Sequence, residues 1–503
     1  MTPFSPDSLA AVLRVHPPTW RADPAAVFDA LAGCEGLCWL ESTAGDDRWG
    51  RYTIAGCKPL WRVSLCDGLP AGVAPPSQTS APGTAGAPVV WPGGRLESLT
   101  SLLRRLLTAV RAEPQPAVPY APGWMGYLGY ELGRHFERLP GRARRDTPLP
   151  DMHLGFYDAV AVHDRRDGGW RIVSLAFDAP PPGAGQAAAL LAERLTAAEA
   201  GAAAPAPAVM RADLDTAVAD GRLSSTFGTP EDYRRAVARC VEYIAAGDIF
   251  QVNISQRLTW SASVEPASAY RCLRRANPAW YSGYLAGEGW AVASSSPELF
   301  LRCRNEHIVT RPIKGTARRG GDADADAAAA AHLLASAKDN AELAMIIDLL
   351  RNDLGRVCRY GSVRVSEGRA LEAHPTVFHL VGTVEGRLRP GCDLADLIAA
   401  AFPGGSITGA PKIRAMEIID ELEPVARGPY TGSLAHFGAD GAAELSIIIR
   451  TAVFEGGRAH VNVGGGIVAD STPEGEYVET LDKARAVVAA IRAAERAAPV
   501  EAR

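Results

Sequence analysis

Lys314, in the run Arg311-Pro312-Ile313-Lys314-Gly315-Thr316, is the residue of this sequence best placed for covalent chemistry. A free lysine has a pKa near ~10.4, so at neutral pH about one molecule in a few thousand carries the nucleophilic amine. Desolvation or crowding by cations must lower that value before the amine can attack. Arg311, Arg318 and Arg319 are close enough in sequence to crowd it, and Gly315 permits close backbone approach to a ligand. Taken alone, the pattern fits equally a solvated lysine at a turn after a strand.

Glu476, Glu479 and Lys483 are spaced by three and four, which puts them on one face of a helix. That face is either a solvated Glu-Lys pair or a magnesium carboxylate beside a lysine that holds an anion. Mg²⁺ takes one or two protein carboxylates and keeps water and substrate oxygens, so a second helix should contribute. Glu342 is the candidate, at the border of the apolar stripe Leu343, Ile346, Ile347, Leu350 and Leu354. Gly464-Gly465-Gly466, after a strand and before a helix, offers amides for an anion nest or else a flexible turn. It lacks the spacing of a dinucleotide fingerprint. Arg450 closes the apolar run Ile447-Ile448-Ile449 and needs either a substrate carboxylate or a structural acid. Glu298, in Ser294-Ser295-Ser296-Pro297-Glu298, falls between two strands and can serve as an acid if burial raises its pKa. In isolation it is a loop charge, and His379 is a core histidine.

These residues need elements to position them. Tyr233, Val237, Val241 and Ile244 have helical spacing within Glu231 to Ala246, and a strand is expected from Ile249 to Leu258. Further strands are expected at Trp290 to Ala293, Leu299 to Cys303 and His307 to Arg311, then one helix from Ala325 to Leu354. Glu444 to Phe454 and Arg458 to Val468 flank Glu455-Gly456-Gly457 as a β-hairpin. Thr472 caps a last helix, with Pro473 at its first position, that runs to about Ala497. The mixed order implies an α+β fold.

At 503 residues the chain exceeds one ordinary core. Two stretches rich in Pro and Ala punctuate it: Leu69 to Gly94, read as a surface loop, and Ala179 to Thr229, partly helical and the best boundary. The organisation expected is an N-terminal unit over 1–178, a connecting segment over 179–229 and a catalytic unit over 230–497. A hydrophobic share of 47%, a charged share of 22% and a net charge of -5 describe a globular protein and argue against nucleic acid as a partner. No apolar run reaches membrane-spanning length and Met1 to Trp20 lacks the form of a secretion signal, so the cytoplasm is expected. The nine cysteines include no C-x-x-C pair, which favours reduced thiols over disulfides or zinc. None lies in a Gly-x-Cys-x-Gly elbow, so the chain carries no evident thiol hydrolase to release ammonia from glutamine.

Together these motifs resemble the chorismate-utilising enzymes, the family of anthranilate synthase component I, aminodeoxychorismate synthase component I and the isochorismate and salicylate synthases. The likeness includes Trp39-Leu40-Glu41-Ser42, Arg51-Tyr52-Thr53 and Gly126-Tyr127-Leu128-Gly129-Tyr130. It continues through Asp248-Ile249-Phe250-Gln251-Val252-Asn253, the Ser-Pro-Glu and Pro-Ile-Lys-Gly-Thr runs, Asp348-Leu349-Leu350-Arg351-Asn352-Asp353 and the last helix. The resemblance implies two antiparallel sheets packed face to face with helices outside. It implies Mg²⁺ on Glu342 and Glu479 with Glu476 close by, and chorismate among Gly315, Thr316, His379, Tyr430, Arg450, Gly464, Gly465, Gly466 and Lys483.

The branch turns on two positions. Family members that add water carry a lysine where this chain has Gln251, and anthranilate synthases typically carry alanine where it has Lys314. Aminodeoxychorismate synthases characteristically carry the lysine, which implies attack by Lys314 on ring carbon 2 while Glu298 protonates the leaving hydroxyl. Ammonia from a separate glutamine amidotransferase would then add at carbon 4. The resemblance also implies a tryptophan site at Ser42, Pro278, Ala279 and Trp280, although Trp280 departs from the usual small or polar residue. The rivals are anthranilate synthase component I, a non-catalytic binding subunit, and a Schiff-base aldolase, which would leave the paired glutamates unexplained.

Overall fold

A computed structural model describes residues 9–17, 20–45, 48–66, 98–201, 209, 214 and 223–497, and the backbone of 69–74. Two large sheets organise the chain. The first runs in the order Ser224–Ser225, Gln251–Ser261, Arg458–Ile467, Thr451–Glu455, Trp290–Ser296, Tyr281–Gly287, Cys38–Glu41, Tyr52–Gly56, Ala159–Asp164, Gly169–Phe177, Leu9–Val15 and Val110–Ala112, with Gly409–Ala410 added to Gln251–Ser261. The second runs Ile313–Arg318, Val377–Arg387, His307–Arg311, Leu299–Arg304, Ala443–Ile447, Ser433–Gly438, Gly123–Leu128, Met152–Tyr157, Trp61–Cys66 and Leu69–Ala74, with Arg364–Ala373 on Val377–Arg387. All pairs are antiparallel except Leu9–Val15 with Val110–Ala112. Each sheet takes strands from both sides of the 179–229 segment.

The sheets meet face to face through apolar side chains. Trp290 of the first sheet sets its ring edge-on to Tyr127 of the second at 5.6 Å. A methyl on Gly283 would stand 2.7 Å from Leu434 Cδ1, so this crossing point has room for glycine alone. Helices cover the outside and present their apolar stripes to the sheets. Pro230–Ala245 opens with a capping box between Thr229 and Asp232. Pro473–Ala497 is the longest helix, and the Thr472 hydroxyl accepts from Gly475 N at 3.2 Å, the cap expected from sequence.

Four local expectations are corrected. The helix expected from Ala325 to Leu354 is two, Ala323–Ala335 and Ala337–Gly355, because Ser336 turns extended and caps the second by accepting from Asp339 N. The strand expected from Glu444 to Phe454 is also two, in different sheets, joined by a crossover in which Arg450 adopts φ 53°. The glycines 464–466 lie inside Arg458–Ile467, paired with Ser255, Ile254 and Asn253, rather than in a loop after it. The surface loop expected from Leu69 begins as the strand Leu69–Ala74 on Trp61–Cys66, and its remainder, 75–94, lies outside the described residues.

Candidate active site

Lys314 owes its direction to a β-bulge. Ile313 pairs with Val381 and Thr316 with His379, so Lys314 and Gly315 together oppose the single residue Leu380 and the strand Ile313–Arg318 carries one extra residue. The turn expected from sequence is thus a bulge. Gly315 holds φ 80°, and a methyl there would meet Leu333 Cδ1 at 2.9 Å and Asp339 Cβ at 3.0 Å. The bulge turns Lys314 into a cavity of about 1570 Å³, between the rim of the second sheet and the Gln251–Ser261/Arg458–Ile467 pair of the first.

Glu298, Gly315, Thr316, Glu342, His379, Tyr430, Arg450, Gly464, Gly466, Glu479 and Lys483 line the same cavity. Residues scattered over 186 positions of sequence therefore share one wall. Gly465 and Glu476 lie behind it: a methyl on Gly465 would stand 2.7 Å from Glu476 Oε2 and 3.6 Å from Glu479 Oε1. A methyl on Gly466 would stand 3.2 Å from Lys314 Nζ and 2.3 Å from Gln251 Nε2. The glycines make room for functional side chains, which replaces the expected nest of amides.

Among the described residues Lys314 has no carboxylate within ion-pair distance. Burial lowers its pKa below the ordinary lysine value; Glu342, Glu298 and Glu479 pull against that, and Lys483 pushes with it. The arginines expected to crowd it are engaged elsewhere. Arg311 pairs with Glu372 and stacks on Trp49, and Arg319 pairs with Asp326. Burial also raises the Glu298 carboxyl to about 7, against hydrogen bonds from Ser406 and the Ile313 backbone and the charge of Lys314. Ser406 Oγ donates to Glu298 Oε1 at 2.5 Å. This acid and this amine face one space with their pKa values drawn toward neutrality, the condition for paired proton transfer and nucleophilic attack.

The cationic side of the cavity is built for an anion. Arg450 Nη1 donates to Lys483 O at 2.9 Å, and no carboxylate among the described residues pairs with it, so the structural ion pair considered from sequence is not formed. Burial depresses its pKa. Lys483 Nζ donates to Gly464 O at 2.8 Å and pairs with Glu479 Oε1 at 2.5 Å. His379 Nδ1 is 3.0 Å from Thr316 Oγ1, and burial pushes its pKa down to about 3, so the ring is neutral. The amide of Gln251, Asn253 Oδ1 and Glu476 Oε2 are buried without hydrogen-bond partners among the described residues, a deficit that a ligand or water would fill.

The three glutamates belong to two helices. Burial raises the carboxyls of Glu342 and Glu476. It also acts on Glu479, but Lys483, Lys338 and Lys314 outweigh it and the net shift is downward. Among the described residues no group of three or more His, Cys, Asp or Glu side chains is gathered closely enough to hold a metal ion. The donor set nevertheless suits a hard divalent cation that keeps its water: carboxylate oxygens from two helices, and the orphaned Glu476 Oε2 in the cradle left by Gly465.

The residues of the expected tryptophan site are split. Pro278 and Ala279 line the main cavity, whereas Trp280 lines a second one of about 300 Å³ and stacks on His374 at 4.5 Å. Ser42 lines neither, and its buried Oγ has no hydrogen-bond partner among the described residues. Ser406 and Lys338 of the main cavity escaped sequence reasoning. Ser406 is 108 positions from the acid it touches, and Lys338 reads as an ordinary helix-surface lysine.

The sequence profile described as chorismate binding enzyme matches residues 82–489. The chain belongs to that family. This chorismate-binding enzyme is 42% identical over 489 residues to anthranilate synthase component 1 of Thermus thermophilus, covering 96% of this chain and 99% of the relative. It is 38% identical over 457 residues to aminodeoxychorismate synthase component 1 of Bacillus subtilis, covering 91% and 92%. Anthranilate synthase component I from Streptococcus pneumoniae superposes with a TM-score of 0.72 at 27% identity, over 88% of this chain and 93% of that one. The fold expected from sequence is the fold of this chorismate-binding enzyme, and its relatives bear both names considered for the reaction.

Proposed function

We propose that the chain converts chorismate and ammonia into 4-amino-4-deoxychorismate through a covalent bond to Lys314. The observation that carries the reading is the half-buried, desolvated amine of Lys314, free of carboxylate partners within ion-pair distance among the described residues, lining the same cavity as a glutamic acid poised near neutrality. The neutral amine adds to ring carbon 2, both ring double bonds shift along the ring toward carbon 4, and the 4-hydroxyl leaves as water with the proton of Glu298. Ammonia then adds at carbon 4 and expels Lys314, with one ammonia proton returned to Glu298. Carbon 2 is blocked by the lysine while nitrogen arrives, which directs amination to carbon 4.

Arg450 and Lys483 answer the substrate's two carboxylates, and Tyr430 and His379 supply neutral polar walls. Glu342, Glu476 and Glu479 are the residues to hold Mg²⁺, which supplies charge neutralisation and orientation for a carboxylate when bound. A separate glutamine amidotransferase is the proposed ammonia source. Ser42, Pro278, Ala279 and Trp280 remain a proposed tryptophan site. No disulfide forms among the described residues, which supports a reducing compartment such as the cytoplasm, and no described helix is long and apolar enough to cross a membrane.

A second reading, anthranilate formation, is favoured by relatives with that name at 42% and 44% identity. Purified chain with chorismate, Mg²⁺ and ammonium separates the two. The proposal expects a non-aromatic product with the mass of aminodeoxychorismate; fluorescent anthranilate as the main product overturns it.

A further inference from the structure

Lys338 is a side chain of the cavity wall that the proposed chemistry leaves without a task. It stands one turn before Glu342 on the helix Ala337–Gly355, and its Nζ lies 4.0 Å from Glu342 Oε1 and 3.9 Å from Glu476 Oε1. Those carboxylates come from different helices, so one ammonium bridges the two elements that would share a metal. It is equidistant from both and tight to neither, at the outer limit of an ion pair. Its stem is 47% exposed, leaving a path by which the flexible chain can swing into solvent.

Lys314 also acts on Glu342 and Lys483 on Glu476 through space, but among the described residues neither lysine comes within ion-pair distance of these two acids. Glu476 is 3% exposed, its Oε1 accepts from Ser471 Oγ at 2.6 Å, and its Oε2 has no hydrogen-bond partner among the described residues. The remaining cavity lysines do not fill this gap: Lys483 is held by Glu479 and Gly464 O, and Lys314 stands against Gly466. A divalent cation held by Glu342 and Glu476 would compete with the Lys338 ammonium for the same carboxylates and repel it.

We propose that Lys338 is a built-in counter-cation that holds Glu342 and Glu476 together in the metal-free enzyme and is expelled when a divalent cation binds. The inference rests on the reading of these glutamates as the metal site. The exchange lowers cation affinity in the empty enzyme and reserves firm binding for the complex in which substrate contributes a carboxylate.

The test is Mn²⁺ binding to the full chain without chorismate, by calorimetry and by the electron-paramagnetic signal of the free ion. Lys338→Met keeps the stem and removes the charge. It is expected to tighten Mn²⁺ binding about tenfold, the scale that two half-exposed ion pairs support, whereas Lys338→Arg stays near the natural protein. Metal-free Lys338→Met should also melt below the natural protein, with the gap closing at saturating Mn²⁺. Equal or weaker Mn²⁺ binding by Lys338→Met, with binding by the natural protein intact, overturns the exchange alone. Absence of Mn²⁺ binding in both overturns the exchange and the metal site together.

Discussion

Ser406 donates to Glu298 across 2.5 Å, and this bond ties the short helix Gly405–Ile407 to the loop that passes between the two sheets. It is the main hydrogen bond that opposes the effect of burial on the Glu298 carboxyl, which still rises to about 7. The acid must be protonated to act, so kcat/KM is expected to fall as pH rises through about 7. Ser406→Ala removes a bond that favours the ionised form. Its alkaline limb should move to higher pH by roughly half to one pH unit, read from a pH-rate profile.

The same carboxyl links stability to pH. Its folded pKa of about 7 lies above the ordinary 4.5, so its contribution is fully present below pH 4.5 and lost as pH rises through about 7. Glu298→Gln, neutral at every pH, should melt like the natural protein at pH 5 and above it at pH 8, by up to ~3 kcal/mol. Turnover should fall at both pH values.

Gly466→Ala would push a methyl to 3.2 Å from Lys314 Nζ and 2.3 Å from Gln251 Nε2. The expected result is a loss of turnover of at least ~100-fold from a displaced amine, with a stability cost of only ~1–3 kcal/mol. Steady-state kinetics beside a denaturant melt would check it.

Arg427 and Glu423 form a buried pair at 2.6 Å, and Arg427 also donates to Ile407 O and Asn253 O, two points on the cavity frame. Arg427→Met leaves Glu423 uncompensated and should cost ~3–5 kcal/mol in a denaturant melt. Any chain that remains folded should show a raised KM for chorismate.

The sequence was most legible where chemistry and local pattern coincide. Lys314, Glu298 and the face Glu476-Glu479-Lys483 stand out by type and spacing, and all but Glu476 line one cavity. The pairing of distant segments was not legible. Ile447-Ile448-Ile449 is equally apolar in one strand or in a crossover between sheets, so the break that turns Arg450 inward has no local signal. The bulge at Lys314 depends on the register of Val377–Arg387, set more than sixty positions away. For the same reason the arginines beside Lys314 in sequence face other partners, while Lys483 and the carboxylates around it come from distant elements.

Product analysis of Lys314→Ala against the natural protein, with chorismate, Mg²⁺ and ammonium, tests the central claim most directly. The natural protein is expected to form 4-amino-4-deoxychorismate, and Lys314→Ala to lose at least ~100-fold in the rate of that product. Undiminished formation of the 4-amino product by Lys314→Ala would contradict it.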